Sequence, residues 1–200
     1  MGQPARLSEA EPAFDWSAVS LTPVEAADGA TLNRWQNDPA IRDLIMGFRG
    51  PVPIETTAAW IEAARDQNLT ARALFAIRQH GALKGVVQIH SIDWVHRTGI
   101  LGLYIGDPAE RGAGLGFAAS TLMIDYGFYG LDLQRVWLEV IAPNVAAQRL
   151  YERLGFIREG TLRQAYQLDG VRHDIVLYGL MKPEWRSRAP AGANRLVQGL

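Results

Sequence analysis

The alternation and spacing of apolar positions divide this chain into strands and helices in a repeating order. Thr98 to Ile105 (TGILGLYI) is β-branched, apolar and aromatic, which predicts a strand, and Gly106-Asp107-Pro108 breaks it. Leu115, Ala119, Leu122 and Tyr126 then recur at the spacing of an amphipathic helix. Upstream, the pattern predicts an early strand near Val19, helices over Leu32 to Asn37 and Glu55 to Arg65, and strands over Ala73 to Arg78 and Lys84 to His90. Downstream it predicts a strand from Arg135 to Ala142 and a helix from Asn144 through Leu154. A closing hairpin follows, Phe156–Leu168 and Val171–Leu180, turned by Asp169-Gly170. The expected fold is α/β, a mixed sheet with helices, whose strand order one sequence does not reveal.

The entry into the Leu115 helix is unusual. Arg111-Gly112-Ala113-Gly114-Leu115-Gly116 carries three glycines and no side chain able to cap the first turn. A helix start leaves its N–H groups without intrahelical partners and bears the positive end of the macrodipole. Ser, Thr, Asp or Asn usually meets that need, and Gly112, Ala113 and Gly114 do not. Glycine also lets a ligand lie against the backbone, so a phosphate is the natural occupant. Two familiar phosphate loops fit poorly. A P-loop needs Gly-Lys-Ser/Thr where Gly116 is followed by Phe117, and a dinucleotide loop needs G-x-G-x-x-G directly at the strand end, whereas Gly112, Gly114 and Gly116 are spaced by two and follow a loop.

The pattern that fits is R-x-x-G-x-G on Arg111, Gly114 and Gly116, which resembles the pyrophosphate signature of the GNAT superfamily of acetyl-CoA-dependent N-acetyltransferases. A second block, N-x-x-A-x-x-x-Y-x-x-x-G-F on Asn144, Ala147, Tyr151, Gly155 and Phe156, resembles the same superfamily in the right order. Arg158-Glu159-Gly160, Arg163, Asp169-Gly170, Asp174 and Tyr178-Gly179 look like the tail of its RimJ/RimL branch. Trp35-Gln36-Asn37-Asp38-Pro39 and the Pro51 to Trp60 stretch are similar to that branch too. The likeness covers residues 16 to 185 and is strongest from 104 to 180.

The resemblance implies a GNAT-like mixed central sheet with helices on both sides, and acetyl-CoA as cosubstrate. It implies cofactor contacts from Arg111, Gly112, Ala113, Gly114, Leu115, Gly116 and Phe117. In the family the strand before this loop splays from the next parallel one and the pantetheine arm fills the gap, which nominates the backbones of Leu103 and Ile105. Asn144 reads both as an N-cap and, by the resemblance, as a contact to the cofactor arm, with Ala147 leaving room beside it. Arg111 reads either as a countercharge to pyrophosphate or as a solvated side chain whose backbone shapes the loop.

Transfer to an amine needs a held thioester, an uncharged nitrogen and a proton for the departing thiolate. A primary alkylamine is mostly ammonium at pH 7, so a base helps. Glu139 interrupts an apolar strand, and alternation puts it on the Trp137/Ile141 face. Apolar flanks predict a raised pKa, and its place before Tyr151 resembles the Glu/Tyr base and acid of ribosomal-protein acetyltransferases. The alternative is a strand glutamate paired with Arg149 or Arg163. Tyr151, with a phenol pKa near 10, is the candidate acid; its alternative is an aromatic core residue. His90, Asp93 and His96 flank an expected turn and read as surface or strand-end groups, with His90 the reserve base.

Composition narrows the field further. Two hundred residues, 48% of them hydrophobic, suit one domain over 14–186, with mobile segments expected at 1–13 and 187–200. Lys and Arg total 20 against 21 Asp and Glu, which argues against a nucleic-acid partner. No apolar run approaches the roughly 20 residues of a membrane span, and the N-terminus lacks a signal-peptide core, so the expected location is cytoplasmic. Without cysteine there is no thiolate nucleophile or thiolate zinc site, and four scattered histidines predict no metal.

The sequence therefore predicts direct acetyl transfer from acetyl-CoA to a primary amine. Candidate acceptors are a protein N-terminus, an amino sugar, an aminoglycoside-like compound and a polyamine, and a homodimer is one further candidate assembly. Asp38, Asp43 and Glu55 are interspersed with Arg42 and Arg49, which disfavours a polyamine. Trp35, Phe48, Arg49 and Trp60 form either an acceptor pocket or core. The rivals are a non-catalytic acyl-CoA-sensing module and an enzyme for longer acyl groups.

Overall fold

The computed structural model describes residues 15–47, 50–65 and 72–186. The segments expected to be mobile, 1–13 and 187–200, lie outside the described residues, as do Phe48 and Arg49. In chain order the strands are β1 (Val19–Thr22), β2 (Arg72–Gln79), β3 (Ala82–Asp93), β4 (Thr98–Ile105), β5 (Arg135–Ile141), β6 (Ile157–Leu168) and β7 (Val171–Met181). The α-helices are α1 (Gly29–Gln36), α2 (Pro39–Ile45), α3 (Ile54–Arg65), α4 (Leu115–Asp125) and α5 (Val145–Leu154).

Among the described residues the strands form one sheet in the order β1-β2-β3-β4-β5-β7-β6, antiparallel everywhere except between β4 and β5. Period-two patterning sorts its side chains onto two faces. Val87, Ile89, Leu101, Val136, Leu138, Val140, Val176 and Tyr178 pack beneath α4 and α5. Leu74, Ala76 and Val86 face the other way, under Leu32 and Trp35 of α1 and Ile61 of α3. The β6–β7 hairpin turns on Asp169 and Gly170 as predicted, both at positive φ (46° and 81°), the geometry of a two-residue turn matched to strand twist.

Three local expectations change. The helix expected at Leu32 begins earlier, at Gly29. A further helix, α2, starts on a signal left unread: Asp38 caps it by accepting from the Ala40 N–H at 2.9 Å, and Pro39 occupies its first turn. The third change concerns α4, expected to be amphipathic and in fact buried on all sides, with Leu115 and every residue from Phe117 to Asp125 out of solvent. It lies against β1, β3 and β4 with α5 alongside, and the Trp185 indole N–H donates to Asp125 at 2.7 Å to close its far end. The Thr121 hydroxyl donates to the Phe117 carbonyl at 2.9 Å, so this polar residue is satisfied within the helix. A π-helical turn, Tyr126–Gly130, ends the segment.

Candidate active site

β4 and β5 run together only briefly. Thr98, Gly99 and Ile100 pair with Arg135, Val136 and Trp137, and beyond them the strands part. The ladder phase shows what lines the gap. The Gly106 N–H donates to the Lys84 carbonyl at 2.8 Å. Antiparallel alternation then turns the main-chain groups of Tyr104 and Gly102 toward β3, and those of Leu101, Leu103 and Ile105 away from it into the gap. On β5, the Ala142 N–H donates to the Asp174 carbonyl at 2.9 Å, so by the same alternation Glu139 and Ile141 present their main-chain groups from the other side. The two residues nominated on β4, Leu103 and Ile105, are thus on the gap edge, and Leu101 joins them. Sequence alone did not fix that ladder phase.

The glycine-rich loop stands at the open end of β4. Gly112 and Gly114 both sit at positive φ (84° and 87°), which a Cβ would strain. Gly114 is the N-cap of α4 and no side chain caps the first turn; the ladder begins with Ala118 N–H to the Gly114 carbonyl at 3.0 Å. Leu115 anchors the helix in the core, Gly116 lies over Leu103 and Leu150, and Ala113 is exposed. The Arg153 guanidinium stacks on the Phe117 ring, 4.2 Å from its centroid, tying α5 to this turn. Arg111 is exposed, and its guanidinium donates to the Ala40 carbonyl of α2 at 3.4 Å.

The helix that follows β5 is built differently. The Asn144 side chain caps α5, its Oδ1 accepting from the Ala147 N–H at 3.1 Å, so the N-cap reading holds. Gly155 ends the helix at φ 97°. Ala147 packs against the main core, and Tyr151, one turn on, is 6% exposed with its ring between Phe156 and Tyr178 at centroid distances of 5.7 and 6.4 Å. Burial pushes the Tyr151 phenol well above its ordinary value, and its hydroxyl has no hydrogen-bond partner among the described residues. Tyr178 behind it donates to Glu152 at 2.9 Å.

Glu139 differs from expectation. It is exposed, although Ile141 on the same face of β5 is buried, so its apolar neighbours do not enclose it. Neither Arg149 nor Arg163 pairs with it. His90 is half-buried, and burial, followed by the nearby Arg72 charge, lowers its pKa below the usual histidine value. Asp93 accepts from the N–H groups of Val95 and His96 and from the His96 ring, so both are turn-forming residues. Trp35 is core and Trp60 packs against it. A concavity of about 600 Å³ beside Thr161–Gln164 lies on edge strand β6, away from the gap. Two polar residues on the face opposite α4, Gln88 and Tyr104, escaped the sequence reading. Alternation already put Tyr104 on the reverse of Leu103 and Ile105.

A gap between parallel strands and a helix start without a side-chain cap thus follow one another along the chain. The profile of the Acetyltransferase (GNAT) domain matches residues 19–157. The chain belongs to the GNAT acetyltransferases. It is 36% identical over 105 residues to the putative ribosomal N-acetyltransferase YdaF of Bacillus subtilis, an alignment covering 52% of this chain and 57% of that protein. It is 28% identical over 155 residues to spermidine N(1)-acetyltransferase of Escherichia coli, covering 76% and 80%. The crystal structure of the microcin C7 self-immunity acetyltransferase MccE, in complex with acetyl-CoA and AMP, superposes with a TM-score of 0.68 at 25% identity, covering 82% of this chain and 92% of that one. The seven-stranded sheet with helices on both faces is thus the GNAT fold. No helix among the described residues is long and apolar enough to cross a membrane.

Proposed function

We propose that this GNAT protein is an N-acetyltransferase that moves an acetyl group from acetyl-CoA directly to a primary amine, in the manner of the RimJ/RimL branch. The observation that carries the reading is the parting of β4 and β5 beneath an uncapped helix start. The N–H groups of the Gly112–Phe117 turn receive the pyrophosphate, and the free main-chain groups of Leu103 and Ile105 bond the amide-bearing arm as an added strand. The side-chain NH2 of Asn144 reaches the same arm while its oxygen caps α5.

The amine nitrogen attacks the thioester carbonyl, the carbon–sulfur bond breaks, and Tyr151 gives its phenolic proton to the departing thiolate. Burial keeps that proton in place until the thiolate forms. Glu139 takes the proton of the attacking amine. Its exposure lets it pass that proton to water. No covalent enzyme intermediate is involved.

Among acceptors, a protein or peptide amine ranks ahead of a polyamine. A polyamine carries several cations and calls for clustered carboxylates. Here Asp38 is spent capping α2 and Asp43 pairs with Arg42 at 3.1 Å. The test is a screen of acyl-CoAs against an amine library, following free thiol and acylated product. Thiol release with acetyl-CoA and a peptide amine is expected. Acyl-CoA binding without thiol release for any amine would overturn transfer in favour of a sensing module.

A further inference from the structure

Two buried polar groups without partners stand side by side on the sheet face opposite α4. The Gln88 side-chain oxygen and the Tyr104 hydroxyl are both shut off from solvent, and neither has a hydrogen-bond partner among the described residues. Folded proteins rarely leave such groups unpaired, and those that persist call for an explanation, a ligand or water among them. The β3–β4 register pairs Gln88 with Gly102 and Val86 with Tyr104, which makes Gln88 and Tyr104 diagonal neighbours on one face.

The surroundings give this pair a direction. Gly102 carries no side chain, and the nearest atoms a Cβ there would touch belong to Gln88, at 3.7 Å, and His90, whose Nε2 lies at 4.0 Å, so both side chains converge over Gly102. The Trp35 ring meets Tyr104 edge-on at 6.3 Å and closes the far side. On the opposite face the gap is covered by α4 and α5, so an acceptor approaching the thioester comes from this face, where α2 borders β4 and β5 and the core beneath α1 and α3 adjoins Tyr104.

We propose that Gln88 and Tyr104 are specificity residues that bind an uncharged amide unit adjacent to the acceptor's reacting amine. Gln88 accepts from the amide N–H, and Tyr104 donates its hydroxyl to the amide carbonyl. The inference rests on the transfer reading above and deepens it by naming what the acceptor carries beside its amine. An acceptor next to a donor complements an amide, which offers one of each. Charge points the same way. The titratable groups of this face include His90, Arg72 paired opposite it on β2, Glu139 on β5, and Lys84, which pairs with Glu110. Burial and Arg72 hold His90 toward its neutral form, which disfavours a second ammonium at this place.

Two acceptors that differ by one N–H test this: alanine N-methylamide and alanine methyl ester. In the wild type kcat/KM favours the amide by on the order of tenfold, the yield of a net hydrogen bond. Gln88→Leu removes that preference, and Gln88→Met does the same should the leucine variant fail to fold. Tyr104→Phe lowers kcat/KM for both acceptors. It does not lower the melting temperature of the ligand-free protein, because the hydroxyl it removes has no partner there. Persistence of the amide preference in Gln88→Leu, or a destabilised Tyr104→Phe, overturns the proposal while leaving the transfer reading intact. Wild-type protein that acetylates neither acceptor nor any other amine overturns the transfer reading and this one with it.

Discussion

The two helices that flank the β4–β5 gap begin in opposite ways. α5 starts on Asn144, whose side chain satisfies the Ala147 N–H, whereas α4 starts on Gly114, at positive φ, with no side-chain cap. Asp15, Asp38 and Asp107 each cap a turn by accepting from a backbone N–H two residues on, while α1, like α4, begins with no side-chain cap. What sets α4 apart is a cap residue without a side chain, and a burial argument sharpens it. α4 is buried on every side, so its first-turn N–H groups have little water to turn to except at the loop itself. The capped helix holds a side chain still, and the uncapped one holds its backbone open for an anion.

If α5 is the rigid carrier of the acid, Tyr151→Phe should break catalysis and nothing else. The ring contacts to Phe156 and Tyr178 survive, and the lost hydroxyl has no partner to disturb. General acid catalysis contributes roughly 10²–10⁴ in rate, and kcat should fall within that range with acetyl-CoA affinity and melting temperature nearly unchanged. Steady-state kinetics beside calorimetric titration of both proteins checks it. Equal kcat, where chemistry limits the rate, would reduce Tyr151 to a core aromatic.

Giving α4 the kind of cap α5 possesses is the converse experiment. Gly114→Asp supplies an acceptor for the first turn and a negative charge where the pyrophosphate is proposed to lie. A charge-assisted hydrogen bond is worth about 1.5–3 kcal/mol, so acetyl-CoA affinity should fall by roughly 10- to 150-fold. Stability should change little, because a cap worth about 0.5–2 kcal/mol offsets the cost of a side chain at positive φ. Calorimetry and thermal melts read the two effects separately. Unchanged affinity in a folded variant would mean that the loop is only a turn.

How much of this was legible in the sequence depends on the kind of signal. The Thr98–Ile105 strand has its predicted bounds, since β-branched residues end abruptly at Gly106-Asp107-Pro108. The glycines of the loop and Asn144 were legible because they act through local backbone geometry. α4 was misjudged as amphipathic because its outer face is covered by elements distant in the chain, Trp185 among them, which no local period encodes. Glu139 is exposed although Ile141, on the same face of β5, is buried, so apolar neighbours along a strand do not by themselves predict enclosure. The unpartnered Tyr104 and Gln88 became visible only once strand register made them neighbours.

Removing the cap from α5 is the smaller perturbation on its side of the comparison. Asn144→Ala leaves the Ala147 N–H unsatisfied and should cost about 1 kcal/mol, about 2–4 °C in melting temperature for a domain of this size. Asn144→Gly should cost only a few tenths of that energy. Acetyl-CoA affinity should drop less than in Gly114→Asp, since one contact to the arm is lost and no charge is added. A variant whose affinity falls as far as that of Gly114→Asp would show that both helix starts serve the cofactor equally, and the contrast between them would lose its meaning.

The finest test concerns the strand that feeds α5. Glu139 stands on β5 where it has left β4, exposed and without an ion pair to Arg149 or Arg163, and Glu139→Gln keeps its shape while removing its proton acceptor. The acidic limb of the kcat/KM pH profile should flatten, with acetyl-CoA affinity unchanged. His90 gives the competing outcome a distinct position. Its pKa is depressed, by burial first and Arg72 second, so it stays neutral as pH falls past the usual histidine value near 6.5 and protonates only below it. A limb that persists in Glu139→Gln below that pH, and disappears in His90→Gln, would transfer the base from the exposed strand residue to the half-buried one. The proton would then leave through β3 instead of through the strand that leads into α5.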